Sequence, residues 1–104
     1  MEITTKSYGL GILYVQASGR LDLDSAVDFG MKVKDTIEDS EETIKEVVID
    51  FAEITFISSL GLKVILELYK QLKASEGVLK LKNVSEDLMH SFRMVGFDKF
   101  LIFE

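Results

Sequence analysis

The sequence predicts one α/β domain spanning residues 1–104, built in the order β-β-α-β-α-β-α-β around a mixed sheet whose later strands run parallel. Three observations predict it. An apolar fraction of 47% in a chain of 104 residues supplies enough material for one core. Short β-branched or alternating runs, such as Val47-Val48-Ile49 and Val78 to Lys82, take turns with longer stretches whose apolar residues recur at helical spacing. No internal repeat, low-complexity tract or interdomain linker interrupts that succession.

Residues 2 to 8 and 11 to 18 read as the two strands of a hairpin, joined at Tyr8-Gly9-Leu10-Gly11, where glycine permits positive backbone angles. In the second strand Ile12, Tyr14 and Gln16 face one side and Leu13, Val15 and Ala17 the other. Both sides are largely apolar, which places this strand centrally in the sheet. Gly19 to Leu23 reads as a loop, with Asp22 or Asp24 available to cap the helix that follows. Ala26, Phe29, Val33 and Ile37 then share one face of a helix reaching about Asp39, and Lys32, Lys34, Asp35 and Glu38 fall on its wetter side. Gly30 weakens that helix by roughly 0.5 to 1 kcal/mol relative to alanine.

Ser40 to Lys45 is a polar connection leading to Val47-Val48-Ile49, an unbroken β-branched run of the kind buried on both faces of a sheet. Asp50 to Thr55 read as a passage over the sheet edge. After Ser58 the period changes. Leu60, Leu62, Val64, Ile65, Leu66, Leu68, Tyr69 and Leu72 cover most of the circumference of a helix running to about Ser75. Lys63, Glu67, Lys70 and Gln71 leave it one narrower wet stripe, so it is predicted to be the most buried helix. Gly77 is placed to be the left-handed residue past its end, and Val78 to Lys82 forms the next strand. Ser85-Glu86-Asp87 opens a short helix bearing Leu88, Met89, Phe92 and Val95, closed by Gly96, and Phe100 to Phe103 is the last strand.

Composition narrows the function classes. The net charge of −6 arises from 18 acidic and 12 basic residues without a lysine or arginine run, which argues against nucleic acid as a partner. Cysteine is absent, so disulfides and thiolate metal sites are excluded. The beginning MEITTKSYG lacks a basic segment followed by an apolar one, and no apolar stretch approaches the roughly 20 residues of a bilayer span. A soluble cytoplasmic protein with no direct membrane insertion is the expectation.

Ser58 and Ser59 stand where a strand turns into a helix, at the carboxyl side of the sheet, the end at which open α/β folds bind their ligands. Capping alone can explain a serine there, because its hydroxyl accepts from an amide the first turn leaves free. If Ser58 caps, the Ser59 hydroxyl is left facing solvent, and Gly61 keeps the nearby backbone approachable. A phosphoryl group on Ser59 would lie at the positive end of the helix, an interaction of roughly 0.3 to 1 kcal/mol, and would add about −1.5 to −2 charges to the surface. Serine catalysis is the weaker reading. The only histidine, His90, is remote in sequence, and no Gly-x-Ser-x-Gly is present. Gly9 and Gly11 sit in a hairpin rather than before a helix, and Asp22, Asp24 and Asp28 lack the glycine and distal glutamate of a calcium loop. No cofactor and no metal are expected.

Four stretches together resemble the STAS domain, specifically the small bacterial anti-sigma factor antagonists. They are Gly19-Arg20-Leu21-Asp22, Val47-Val48-Ile49-Asp50, Phe56-Ile57-Ser58-Ser59-Leu60-Gly61-Leu62 leading into Val64-Ile65-Leu66, and Val95-Gly96-Phe97. The family turn usually reads Asp-Ser-x-Gly, and its serine accepts phosphate from a serine kinase that is also the anti-sigma factor; the matching residue is Ser59. The resemblance implies a non-catalytic partner switch: the unphosphorylated chain binds the anti-sigma factor and frees a sigma factor, phosphorylation breaks the complex, and a serine phosphatase resets it. It implies a partner-binding surface made of Asp22, Ser58, Ser59, Leu60, Gly61 and Lys63. Ser58 replaces the usual aspartate, keeping the capping oxygen and removing a charge. Lys63 is either a cation for a phosphate or an i,i+4 partner of Glu67. The alternative within the same family is an unphosphorylated STAS accessory subunit of a transporter or another protein complex.

Overall fold

The computed structural model describes residues 1–104. Strand β1 (Glu2–Ser7) and strand β2 (Ile12–Leu21) form the expected hairpin, followed by helix α1 (Ala26–Asp39), strand β3 (Glu46–Ile57), helix α2 (Ser59–Ala74), strand β4 (Val78–Lys82), helix α3 (Glu86–Met94), a 3-10 turn at Phe97–Lys99 and strand β5 (Ile102–Phe103). The sheet order is β1-β2-β3-β4-β5; β1 pairs with β2 antiparallel and every later pair is parallel. Each parallel crossover advances one strand in the same direction, so all three helices fall on one face.

The alternation read from β2 places its residues correctly. Leu13, Val15 and Ala17 join the core beneath the helices, while Tyr14 and Gln16 point to the uncovered face. That core also takes Val47, Ile49 and Phe51 from β3, Leu79 and Leu81 from β4, Phe29 and Val33 from α1, Ile65, Leu68 and Leu72 from α2, and Phe92 from α3. Val48 is buried although it faces the uncovered side, because it lies between Tyr14 and Lys80 in register. The run Val47-Val48-Ile49 is therefore buried throughout, as expected, while the strand positions beside Val48 on that face stay partly wet. α2 contributes the most buried residues of the three helices.

Several boundaries differ from those expected. Asp50 to Thr55 do not cross an edge; β3 continues to Ile57, beyond the end of its pairing with β4 at Asp50, and it stays paired with β2 through two register shifts. The reason is apolar. Phe51, Ile54 and Ile57 all need burial, and the bulges let irregularly spaced residues reach the same side. Gly19 to Leu21, read as loop, are correspondingly the last residues of β2, with Gly19 at a φ of 106° between the shifts. The left-handed residue after α2 is Glu76, at a φ of 63°, rather than Gly77. Gly77 is required for space instead, because a Cβ would lie 3.0 Å from the Lys45 carbonyl oxygen and 3.1 Å from that of Leu72. The last strand shrinks to Ile102–Phe103, since the preceding residues wind into the 3-10 turn that buries Leu101.

Candidate functional site

The site forms where β2 and β3 end side by side. Leu21 and Ile57 are register partners, and the Ser58 amide donates to the Leu21 carbonyl at 2.9 Å. Two chain segments distant in sequence are thereby tied at their carboxyl ends: the serine turn after β3 and the Asp22 loop after β2. The extra length of β2 and β3 beyond β4 is what carries both segments there.

Ser58 is the N-cap of α2. Its backbone is extended, at φ −90° and ψ 174°, and its Oγ accepts from the Gly61 amide at 3.1 Å. Its carbonyl also accepts from Leu62 at 2.9 Å, which closes the first turn. Ser59 follows as the first helical residue; it is exposed and its hydroxyl has no hydrogen-bond partner within the chain. The separation of the two serines into a bonded cap and a free hydroxyl is thus present in the geometry. Leu60 is half-buried and Lys63 is exposed, and Lys63 forms no ion pair with Glu67 or with any other carboxylate within 4.0 Å.

Gly61 differs from expectation. It is buried, and a Cβ on it would lie 2.7 Å from the Leu21 carbonyl oxygen, 2.8 Å from Ile57 Cγ1 and 3.2 Å from Leu21 Cγ. Its missing side chain therefore faces inward, allowing the first turn of α2 to close on the ends of both strands, and leaves no approachable backbone toward solvent.

The Asp22 loop is tied together by its own side chains. Asp22 Oδ1 accepts from the amides of Asp24 at 3.1 Å and Ser25 at 3.3 Å and from the Ser25 hydroxyl at 3.2 Å. Ser25 Oγ in turn accepts from the Asp22 amide at 3.1 Å and donates to the Arg20 carbonyl. Asp22 Oδ2 pairs with Arg20 Nε at 3.5 Å. Asp22 thus fastens the turn ahead of α1; the N-cap position itself belongs to Ser25, whose side chain bonds no helix amide, and Asp24 caps nothing. Desolvation in the loop pushes the Asp22 carboxyl up, but the bonds from Asp24 and Ser25 and the Arg20 charge together hold it below the usual aspartate value.

Arg20 escaped the sequence reading except as part of a motif. Its guanidinium lies 4.1 Å from the centroid of the Phe56 ring, its register partner on β3, and the only signal for this was the pairing of Gly-x-Leu-Asp with Phe56-Ile57-Ser58 across two strands. The other candidates are scattered. His90 is exposed on α3 and shares no hydrogen bond with Ser59, and no three His, Asp or Glu side chains gather as a metal cluster. A groove of about 650 Å³ runs between α1 and α2 and includes Leu60 and Lys63, with Val27, Met31 and Val64 on its walls. Asp50, at the other side of the sheet, is held by Ala52, Asn83 and Gln16; burial raises its carboxyl, and these bonds with the nearby Lys82 charge lower it further than burial raises it.

Comparison with known proteins places the fold. A profile of the STAS domain matches residues 4–104. The Bacillus cell fate determinant SpoIIAA in its phosphorylated form superposes with a TM-score of 0.75 at 17% identity, covering 99% of this chain and 91% of that one. An anti-sigma factor antagonist from Mycobacterium paratuberculosis gives a TM-score of 0.79 at 24% identity, with 98% and 85% covered. A sulfate transporter family protein from Wolinella succinogenes gives 0.76 at 20% identity, with 94% and 80% covered. At these identities the likeness is one of fold.

Proposed function

Because the chain belongs to the STAS-domain family, we propose that it is an anti-sigma factor antagonist, a non-catalytic cytoplasmic protein that binds an anti-sigma serine kinase and so frees a sigma factor. Phosphorylation of Ser59 by that kinase ends the binding, and a serine phosphatase restores it. The observation that carries this reading is the free, exposed Ser59 hydroxyl at the first turn of α2, beside a serine already committed to capping. A phosphate there meets the positive end of a 16-residue helix and adds charge to the surface a partner must cover. Ser58 supplies the capping oxygen that aspartate supplies in the family pattern, so the turn keeps its shape with one negative charge fewer.

The surface consists of Ser59, Leu60 and Lys63 on α2, with Ser58 and Gly61 shaping the turn and Asp22 holding the adjoining loop. The test is calorimetric titration of the unmodified chain and of Ser59→Glu against the serine kinase encoded nearest to it. Binding by the first and a loss of about tenfold or more by the second supports the switch. Equal affinities contradict it. A second reading keeps the surface and removes the phosphoryl group: a STAS subunit of a transporter or another complex, favoured by the missing acidic residue at position 58 and by the occurrence of the same fold in a sulfate transporter family protein. Kinase and ATP that leave Ser59 unmodified, with transporter components captured instead, select that reading.

A further inference from the structure

The hydrogen bonds around Asp22 point away from a direct role for it in recognition. Oδ1 accepts from Asp24 and Ser25, and Oδ2 lies 3.5 Å from Arg20 Nε, so both oxygens face groups of the chain itself. Arg20 is the reverse case. Its Nε lies 3.5 Å from Asp22 Oδ2, its Cζ sits over the Phe56 ring 4.1 Å from the centroid, and its terminal nitrogens donate to nothing in the chain, while its side chain is 60% exposed. A guanidinium pinned on two sides with its outer fork free is arranged for a planar, two-oxygen acceptor. The serine turn carries no acidic side chain, since position 58 is serine, and Lys63 on the first turns of α2 forms no ion pair.

We infer that Arg20 is the specificity-determining residue of this surface, presenting its guanidinium fork to a carboxylate of the protein partner, and that Asp22 and Phe56 are positioning residues acting through it. This rests on the reading of the serine turn as a partner-binding surface. Holding the arginine in advance lowers the side-chain entropy lost on binding, which is the purpose of placing it between a carboxylate and a ring. Lysine cannot replace it, because an ammonium neither stacks flat on Phe56 nor offers two parallel donors.

The experiment uses the full chain and the serine kinase encoded nearest to it, with affinity measured at low and high salt for wild type, Arg20→Gln, Arg20→Lys and Phe56→Leu. Arg20→Gln is expected to weaken binding by about tenfold and to flatten its salt dependence. Arg20→Lys is expected to restore the salt dependence but only part of the affinity, and Phe56→Leu to weaken binding while leaving its salt dependence in place. Denaturation midpoints report folding, so a variant that binds weakly because it unfolds is recognised. Wild-type binding with Arg20→Gln unchanged overturns the assignment of Arg20 and leaves the site reading intact. Absence of wild-type binding overturns the site reading and this inference together.

Discussion

The Ser58 amide and the Leu21 carbonyl meet at 2.9 Å, and this one bond ties the residue before Ser59 to the residue before Asp22. Everything proposed for the surface depends on the two segments staying together. The bond is possible because Gly61 lets α2 close on Leu21 and Ile57.

Gly61→Ala should therefore be more harmful than a glycine-to-alanine change in a helix usually is. Alanine improves helix propensity, yet its Cβ would meet a backbone oxygen at 2.7 Å, which cannot move without shifting β2. Overpacking of this kind outweighs the propensity gain, and a net loss of about 1 to 3 kcal/mol is expected from urea denaturation. An unchanged midpoint would mean that the turn has more room than the contact distances give it.

The two serines should separate in stability measurements. Ser58→Ala removes the acceptor for the Gly61 amide and is expected to cost about 1 kcal/mol, whereas Ser58→Asp keeps a capping oxygen at a helix N-terminus and should be neutral or stabilising. Ser59→Ala removes a hydroxyl without a partner and should stay within about 0.5 kcal/mol of wild type. Equal losses at both positions would contradict the assigned division of roles.

Gly30 and Val64 form a second test of close approach, at the crossing of α1 and α2. A Cβ on Gly30 would lie 2.8 Å from Val64 Cγ1, and a β-branched side chain in a helix has little freedom to turn away. Gly30→Ala should lower stability by about 1 kcal/mol in the wild-type background and raise it by a similar amount once Val64→Ala has opened the contact. Additive effects in that double-mutant cycle would exclude the packing explanation.

Acid should weaken the fold through Asp22 and Asp50. Both carboxyls are held below the ordinary aspartate value, so the unfolded chain binds their protons more readily than the folded one. Their contribution is complete above the unfolded pKa of about 3.9 and is lost as pH falls from there through the lower folded values. Denaturation midpoints between pH 7 and pH 2 should fall across that window, and less steeply in Asp22→Asn and Asp50→Asn. An unchanged slope in both variants would place the acid sensitivity elsewhere.

Much of this architecture was legible because burial leaves a period in the sequence. The helical spacing of Leu60, Ile65, Leu68 and Leu72, and the alternation of Leu13 and Val15 with Tyr14 and Gln16, led to the right elements on the right faces. The run from Asp50 to Ile57 failed for the same physical reason: two bulges break the period of two, so Phe51, Ile54 and Ile57 share a side at a spacing that no regular strand has. Glu76 was missed because its left-handed backbone is permitted but uncommon for a residue with a Cβ, and Gly77 beside it carried the usual signal. At the site, the cap at Ser58 and the free hydroxyl of Ser59 were readable from turn chemistry. The contact of Arg20 with Phe56 was not, since it depends on the register of two strands whose residues lie 36 positions apart.

The most direct test of the switch is the position of the phosphate. Incubating the chain with the nearest encoded serine kinase and ATP, then mapping the product by mass spectrometry, should find one phosphoryl group on Ser59 in the wild type and none in Ser59→Ala. Phosphate on Ser58 or elsewhere, or an unmodified Ser59 in a chain that binds the kinase, would contradict the account.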